Sequence, residues 1–197
     1  MLDESGRDRW IEAGLKEIGR GGVERVRVEV LAEGMGITKG GFYRRFKDRR
    51  ALLDAMLDTW QRGRIAAIDK HTALGNEGAR ERLRSVIRLY SERLNPEGIT
   101  IELAIRQWAR NDAAALAAVT AVDAARLGRV AQLYRALGLP ADDAQARAIL
   151  LYAFIFGQGL LFLGDGPRKR ASLTAACADV LTETVTSPPS GLRIRAP

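Results

Sequence analysis

The sequence predicts an all-α protein of about nine helices, with a small N-terminal three-helix head followed by a larger helical body. Apolar residues recur every three or four positions through most of the 197 residues, whereas the alternating pattern of a β-strand is nearly absent. Breaks that contain glycine or proline separate the periodic segments. With 47% hydrophobic and 28% charged residues, the chain has the composition of an ordinary globular protein.

Three short helices and the start of a fourth are predicted in the head, residues 1–50. Apolar positions at helical spacing define the first two: Trp10, Ile11, Leu15 and Ile18, then Val28, Leu31, Ala32 and Met35. Glycines follow both segments, and Thr38 is the predicted N-cap of a third helix that ends near Arg45. Asp48 is the predicted N-cap of the fourth, which spans 48–70 and connects the head to the body.

Five further helices are predicted in the body, residues 51–185. The first contains Leu83 and Tyr90 and ends at the 95–98 break; the others span about 100–110, 112–137, 142–163 and 169–185. Residues 71–78, with the only histidine, His71, are predicted to form a loop. The charge-free run 148–164 predicts a buried helix rather than a membrane span. The tail, 186–197, is predicted to be disordered.

The region from 27 to 50 has the layout of a helix-turn-helix, in which a second short helix enters the major groove of DNA. Residues 38–50 carry six basic side chains against one acid, within a chain of net charge +7. Charge of this density predicts a polyanionic partner. Phe42 and Phe46 are predicted to lie beneath this surface and to pack against Leu31 and Trp10.

Seven residues of this region are candidates for DNA contact: Thr38, Lys39, Gly40, Gly41, Tyr43, Arg44 and Lys47. A threonine methyl and a lysine at the helix start suit base edges, and Lys47 and Tyr43 suit phosphate. Gly40 and Gly41 each cost a helix up to about 1 kcal/mol, but they allow its backbone to approach phosphate. A flexible loop at the glycines, a half-buried Tyr43 and a solvated Arg44 are the structural alternatives.

Four segments of the first 60 or so residues carry a family resemblance. They are Trp10 with Ala13-Gly14-Leu15, Val28-Glu29-Val30-Leu31-Ala32, Met35-Gly36-Ile37-Thr38-Lys39-Gly40-Gly41-Phe42-Tyr43-Arg44-Arg45-Phe46, and Lys47-Asp48-Arg49-Arg50-Ala51-Leu52-Leu53. Together they resemble the N-terminal domain of the tetracycline-repressor (TetR) family of bacterial transcription regulators. Arg27 stands where the family often has a capping threonine, so that cap is lost and Arg27 becomes a candidate phosphate contact. Gly41 stands where many relatives carry a side chain.

The resemblance implies a homodimer that binds a near-palindromic double-stranded DNA operator, and a small-molecule effector that binds the body. The candidate effector pocket is Trp60, Tyr90, Gln107, Trp108, Tyr134 and Tyr152. An inward-facing Arg106 would indicate an anionic effector. The candidate dimer interface is Leu151, Phe154, Ile155, Gln158, Leu161, Phe162 and Cys177. Apolar residues nearly all round the predicted helix 142–163 independently favour burial on both sides.

The predicted function is therefore a sequence-specific DNA-binding transcription regulator, a repressor released by its effector. The alternatives are a helical interaction protein that binds no DNA, and a regulator without ligand control. An enzyme is not expected, because one histidine provides neither a metal cluster nor a triad, and no glycine motif has the spacing of a nucleotide loop. No cofactor, metal or membrane is expected. One cysteine and no apparent signal peptide predict a cytoplasmic protein.

Overall fold

The computed structural model describes residues 4–73, 78–91, 96–157 and 167–183, whose regular secondary structure is helical, with no strand among them. The all-α prediction is confirmed. The helices are α1 Glu4–Gly21, α2 Val28–Gly34, α3 Lys39–Tyr43, α4 Arg49–Thr72, α5 Ala79–Ser91, α6 Pro96–Trp108, α7 Ala113–Ala136, α8 Ala141–Gly157 and α9 Pro167–Thr182, with a 3-10 turn at Val23–Arg25. The predicted tail and residues 158–163 of the predicted eighth helix lie outside the described residues.

Local chemistry accounts for several helix boundaries. Gly22 and Gly36 follow α1 and α2 with φ of 82° and 66°, a left-handed conformation that favours glycine. The predicted cap of α4 is confirmed, because the Ala51 backbone N–H donates to Asp48 Oδ1 at 2.8 Å. Thr38 is the N-cap residue of α3, but its side chain makes no capping hydrogen bond.

Two boundaries differ from the prediction. α4 continues to Thr72, so His71 lies in a helix and not in a loop. α6 begins at Pro96, within the segment that was expected only as a break. Proline suits the first position of a helix, because its φ is already helical and the N–H that it lacks would have no partner there. No helix of the described residues has the length and apolarity to cross a membrane.

The chain divides into two compact units. Of the described residues, unit 1 contains 4–73 and 96–129, and unit 2 contains 78–91, 130–157 and 167–183. In unit 1, α1 packs against α4 and α6 around one continuous apolar core. In unit 2, α5 packs against α8 and α9. Unit 1 extends beyond the predicted head. The boundary of the DNA-binding head at residue 50 remains a prediction.

Candidate nucleic-acid interface

The core beneath α3 fixes the orientation of this short helix. Phe42 is fully buried, and its ring lies 5.2 Å from the Trp10 ring in an edge contact and 5.4 Å from the Phe46 ring in a stacked contact, measured between centroids. Leu31 of α2 belongs to the same buried cluster. The predicted core role of the two phenylalanines is confirmed. Aromatic contacts of this kind hold a helix of five residues that could not be stable alone.

The opposite side of α3 is open to solvent. Tyr43 is 62% exposed, so a half-buried tyrosine is not what the structure shows. The α3 surface is formed by the eight residues predicted to contact DNA: Arg27, Thr38, Lys39, Gly40, Gly41, Tyr43, Arg44 and Lys47. All are exposed except Gly41, which is intermediate. As N-cap of α2, Arg27 makes no side-chain capping bond, as its departure from the family pattern implied.

An ion pair joins the first turns of α2 and α3. Lys39 Nζ lies 2.9 Å from Glu29 Oε1, and both side chains are mostly exposed. The hydrogen bond from Lys39 lowers the pKa of the Glu29 carboxyl. The first residue of α3 is therefore positioned by α2 and lies close to the N-terminal end of that helix.

Packing does not explain the two glycines of α3. A Cβ added at Gly40 would meet Thr38 Oγ1 at 3.7 Å, an ordinary contact, and one added at Gly41 would meet no described neighbour within 4 Å. At Gly14, by contrast, a Cβ would lie 2.5 Å from the sulfur of Met56. Both α3 glycines lie in a regular helix, so the flexible-loop alternative does not fit. Their open outer side leaves room for the backbone of α3 to approach a partner.

Two of the neighbouring arginines stabilise the protein itself. Arg45 Nη1 donates to the Gly41 carbonyl at 3.0 Å. Arg49 donates from Nε and Nη2 to the carbonyls of Val26 and Val23, each at 2.6 Å. Both arginines therefore have a structural role.

Arg50 joins the start of α4 to the start of α7. Its guanidinium lies 2.7 Å from Asp54 Oδ1 and 2.5 Å from Asp112 Oδ2, and 6.0 Å from the centroid of the Trp108 ring. Asp112 Oδ1 also accepts from the Ala115 backbone N–H at 3.0 Å and so caps α7. The pKa of Asp112 is lowered, first by its hydrogen bond from Arg50.

The candidate effector-pocket residues are distributed over both units. In unit 1, Trp60 lies in the core, while Gln107 and Trp108 line a cleft of about 470 Å³. In unit 2, the rings of Tyr90 and Tyr152 make an edge contact at 6.3 Å.

Tyr134, the remaining pocket candidate, ties α7 to the end of α9 within unit 2. Its hydroxyl donates to the Leu181 carbonyl at 2.9 Å. Burial raises the pKa of Tyr134 to about 12, because it disfavours the phenolate. This hydrogen bond gives the side chain a structural role.

The candidate interface residues differ in how deeply they are buried. Leu151 and Ile155 are buried, Phe154 and Cys177 are partly buried, and Gln158, Leu161 and Phe162 lie outside the described residues. The large apolar side chains exposed on α8 and α9 are Ile149, Leu150, Phe156, Leu173 and Val180. None of these five is among the interface candidates, and the interface remains a prediction.

A buried ion-pair cluster lies in unit 1, between α4, α6 and α7. This arginine cluster consists of Arg64, Glu102, Arg106, Asp123 and Arg126. Arg126 donates to both oxygens of Glu102 at 2.5 and 2.6 Å, and Arg64 donates to Glu102 Oε2. Arg106 donates to Glu102 and makes a bidentate pair with Asp123. Arg106 therefore faces inward, the orientation that had been left open.

Burial of Glu102 would raise its pKa, but the guanidiniums of Arg126 and Arg64 outweigh this effect and lower the pKa to about 2. The carboxylate is 3% exposed and Arg126 is 1% exposed. Charges this deeply buried need close partners. Pairs such as Glu102–Arg106 and Asp123–Arg126 have helical spacing in the sequence, but only the fold shows which of them are buried.

The short helices α2 and α3, with the exposed α3 surface, have the arrangement of a helix-turn-helix. Residues 11–56 match the family model described as bacterial regulatory proteins, tetR family. The match covers almost all of the N-terminal segments that carry the resemblance to this family. No curated protein matches the sequence.

Solved structures share the fold over almost the whole chain. One from Pseudomonas aeruginosa PAO1, described as a transcriptional regulator, is 19% identical, with a TM-score of 0.69 over 92% of each chain. One from Rhodococcus sp., described as a TetR-family transcriptional regulator, is 22% identical, with a TM-score of 0.64 over 91% of this chain and 100% of that one. Salmonella enterica GusR is 17% identical, with a TM-score of 0.68 over 92% and 96%. The chain thus has the fold of TetR-family transcriptional regulators.

Proposed function

We propose that this chain is a cytoplasmic, homodimeric transcription regulator that binds a near-palindromic operator and represses transcription until a small-molecule effector releases it. The observation that carries the proposal is the α3 surface: exposed basic and hydroxyl side chains, with two glycines that packing does not require, above a rigid aromatic core.

In this mechanism, phosphate contacts supply most of the affinity and base contacts supply the sequence preference. Lys47, Arg44 and Arg27 neutralise phosphates, and the Tyr43 hydroxyl donates to one. Thr38 and Lys39, at the start of α3, contact base edges. The two copies of α3 in a dimer lie about 34 Å apart, the spacing of successive major grooves on one side of DNA.

The exposed apolar side chains of α8 and α9 support the homodimer. Leu150 and Ile149 are each more than half exposed on α8, and Val180 is still more exposed on α9. Side chains of this size, grouped on neighbouring helices of one unit, favour association with another apolar surface. A two-fold dimer presents the same surface from each copy.

Effector control requires that the ligand bind one conformation of the regulator more tightly than the other. The contacts of Arg50 support such coupling in unit 1. They join the first turn of α4, which follows α3 in the chain, to Asp112 and to the ring of Trp108. A shift of the α6–α7 connection would therefore act on the start of α4.

The decisive test is binding to the DNA that flanks the chain's own gene, compared with scrambled DNA over a salt series. Preference for the native fragment at moderate salt supports the proposal. Lys47→Ala should weaken binding to all sequences and make the salt dependence shallower by about one counterion. Lys70→Ala, at an exposed lysine late in α4, is the matched control and should change neither. Equal affinity of the wild type for both DNAs at every salt concentration would contradict operator recognition.

Sedimentation equilibrium tests the dimer separately. Leu150→Glu should convert dimers to monomers, because a charge cannot be buried without a partner in an apolar interface. Leu116→Glu is the control, since Leu116 on α7 is 55% exposed and Leu150 is 58% exposed. Equal effects of the two substitutions would contradict an interface at α8.

A further inference from the structure

The arginine cluster has more positive than negative charge. Its five side chains carry three guanidiniums, Arg64, Arg106 and Arg126, against two carboxylates, Glu102 and Asp123. Both Glu102 oxygens already accept at least two hydrogen bonds each. These five side chains together therefore carry one more positive than negative charge.

Two buried hydrogen-bond donors on α4, one of them on Arg64 of the cluster, lack a partner among the described residues. They are Trp60 Nε1 and Arg64 Nε, both buried atoms on α4. Residues four apart on a helix project from the same face, about one turn from each other. A buried donor without an acceptor costs about 1–3 kcal/mol, and the indole N–H belongs to a residue that is only 6% exposed.

The surroundings limit the chemistry of an acceptor. Trp60 belongs to the same apolar cluster as Ile105, Val119 and Val122. The cluster can be reached from its outer edge, because the side chains of Arg64 and Arg106 are 22% and 25% exposed. Two N–H donors next to an excess of positive charge favour a compact anionic group with two acceptor oxygens, and the apolar residues of this core favour an apolar body; together these describe an organic carboxylate.

From this geometry we infer that unit 1 binds an apolar carboxylic acid, whose carboxylate accepts from Trp60 Nε1 and Arg64 Nε. The inference rests on the proposed function in one respect, because it names the chemical class of the effector. Arg64 lies on α4 and bonds Glu102 on α6. A carboxylate bound to Arg64 Nε shares this guanidinium with Glu102, and would thereby change how α6 is held on α4, the helix that follows α3.

The experiment uses the full-length protein and two pairs of probes of matched shape: phenylacetate with phenylacetamide, and octanoate with octanamide. Calorimetry at pH 7 in the absence of DNA measures binding. At least one carboxylate should bind tenfold or more tightly than its amide, because hydrogen bonds to a charged group exceed neutral ones by about that factor. Equal binding of acid and amide in both pairs, or no binding of either acid at millimolar concentration, overturns the inference.

Two conservative variants test whether the carboxylate binds at Trp60 and Arg64. Trp60→Phe keeps an aromatic ring but removes the indole N–H, and Arg64→Lys keeps the charge but removes Nε. Each should weaken carboxylate binding tenfold or more. Trp10→Phe and Arg129→Lys are the controls, the latter at an arginine that pairs with Asp69 and not with a carboxylate of the cluster. Trp60→Phe should remain folded by circular dichroism, because it removes a donor that had no partner; if it does not, Arg64→Lys decides. Equal effects of site and control variants overturn the assignment.

DNA binding without ligand is measured in parallel, so the two proposals can fail separately. Loss of operator preference in the ligand-free protein contradicts the proposed function and leaves the calorimetric result standing. Carboxylate binding that depends on Trp60 and Arg64 but does not change DNA affinity supports the site and overturns its role as the effector site.

Discussion

The α3 surface and the arginine cluster both depend on basic side chains, but they use them in opposite ways. On the α3 surface, Arg44 and Lys47 follow a helix of five residues and are exposed to solvent. In the cluster, Arg126 is buried, and its guanidinium bonds both oxygens of one carboxylate. An exposed cation contributes little to stability and remains available to a partner, whereas a buried cation without its carboxylate destabilises the fold. Neighbouring groups, rather than residue type, thus determine which role an arginine has.

The largest expected effect is on the stability of the cluster. Glu102→Ala should lower the free energy of unfolding by about 3–5 kcal/mol, because it leaves buried guanidiniums without their carboxylate. Urea denaturation measures this loss. Asp58→Ala removes an exposed carboxylate that pairs with Arg62, and it should change stability by less than about 0.5 kcal/mol. Similar losses in the two variants would remove the distinction between the regions.

The pH dependence of stability provides a second test of the cluster. Because the pKa of Glu102 is lowered from 4.5 to about 2, its contribution to stability is complete above pH 4.5 and is lost as the pH falls towards 2. Urea denaturation at pH 7 and pH 3.5 should therefore show a smaller acid-induced loss for Glu102→Gln than for the wild type. Glu17 and Asp112, whose pKa values are also lowered, keep their contributions in the variant. An identical loss in both proteins would contradict this role of Glu102.

Two tyrosine variants compare an exposed and a buried side chain, because each loses one hydroxyl group and nothing else. Tyr43→Phe should leave stability within about 0.5 kcal/mol, but weaken DNA binding about tenfold by removing one hydrogen bond to phosphate. Tyr134→Phe should cost about 1 kcal/mol of stability, because its hydroxyl bonds the Leu181 carbonyl, and leave the DNA affinity of the folded protein unchanged. Thermal unfolding and fluorescence anisotropy measure both properties. A Tyr43→Phe variant with unaltered DNA affinity would exclude a hydroxyl–phosphate contact.

The smallest expected effect concerns Gly41. Gly41→Ala should stabilise the protein by up to about 1 kcal/mol, because alanine favours the helix and the added methyl meets no described neighbour within 4 Å. The same methyl should weaken operator binding if the backbone approaches DNA at this point. Gly63→Ala on α4 is a matched control with equally open surroundings, and it should stabilise the protein without changing DNA affinity. Equal DNA affinity in both variants would exclude close backbone approach at Gly41.

The sequence predicted most of the fold, because helix starts and ends depend on local chemistry. Asp48 caps α4 and Gly36 adopts the left-handed conformation after α2, as their positions indicated. One exception also has a local cause. Pro96 belongs to the predicted break at 95–98, but proline also suits the first position of a helix, and α6 begins there. The core beneath α3 was predictable because Phe42 and Phe46 lie one helical turn apart.

Much of the rest depends on contacts between residues distant in sequence. Arg49 bonds carbonyls more than twenty residues away, and Arg50 bonds Asp112 across sixty-two. The sequence pattern did not show whether Arg106 faces the interior. Each turn of a helix has a buried and an exposed side, and the pattern does not assign this arginine to either. Leu150 and Leu151 illustrate the same limit, because one is exposed and the other buried.

The ion pair between Lys39 and Glu29 has a consequence for the kinetics of target search. Its two charged atoms lie 2.9 Å apart, so this lysine is partly neutralised before any DNA arrives. Retention on non-specific DNA depends on the number of phosphates that a protein neutralises. We expect Lys39 to add little to that number during sliding, and to exchange Glu29 for a base acceptor only at a matching sequence. The ion pair would thus let the protein slide quickly along non-specific DNA and dissociate slowly from its operator. Lys39 exchanges Glu29 for a base acceptor only at the operator.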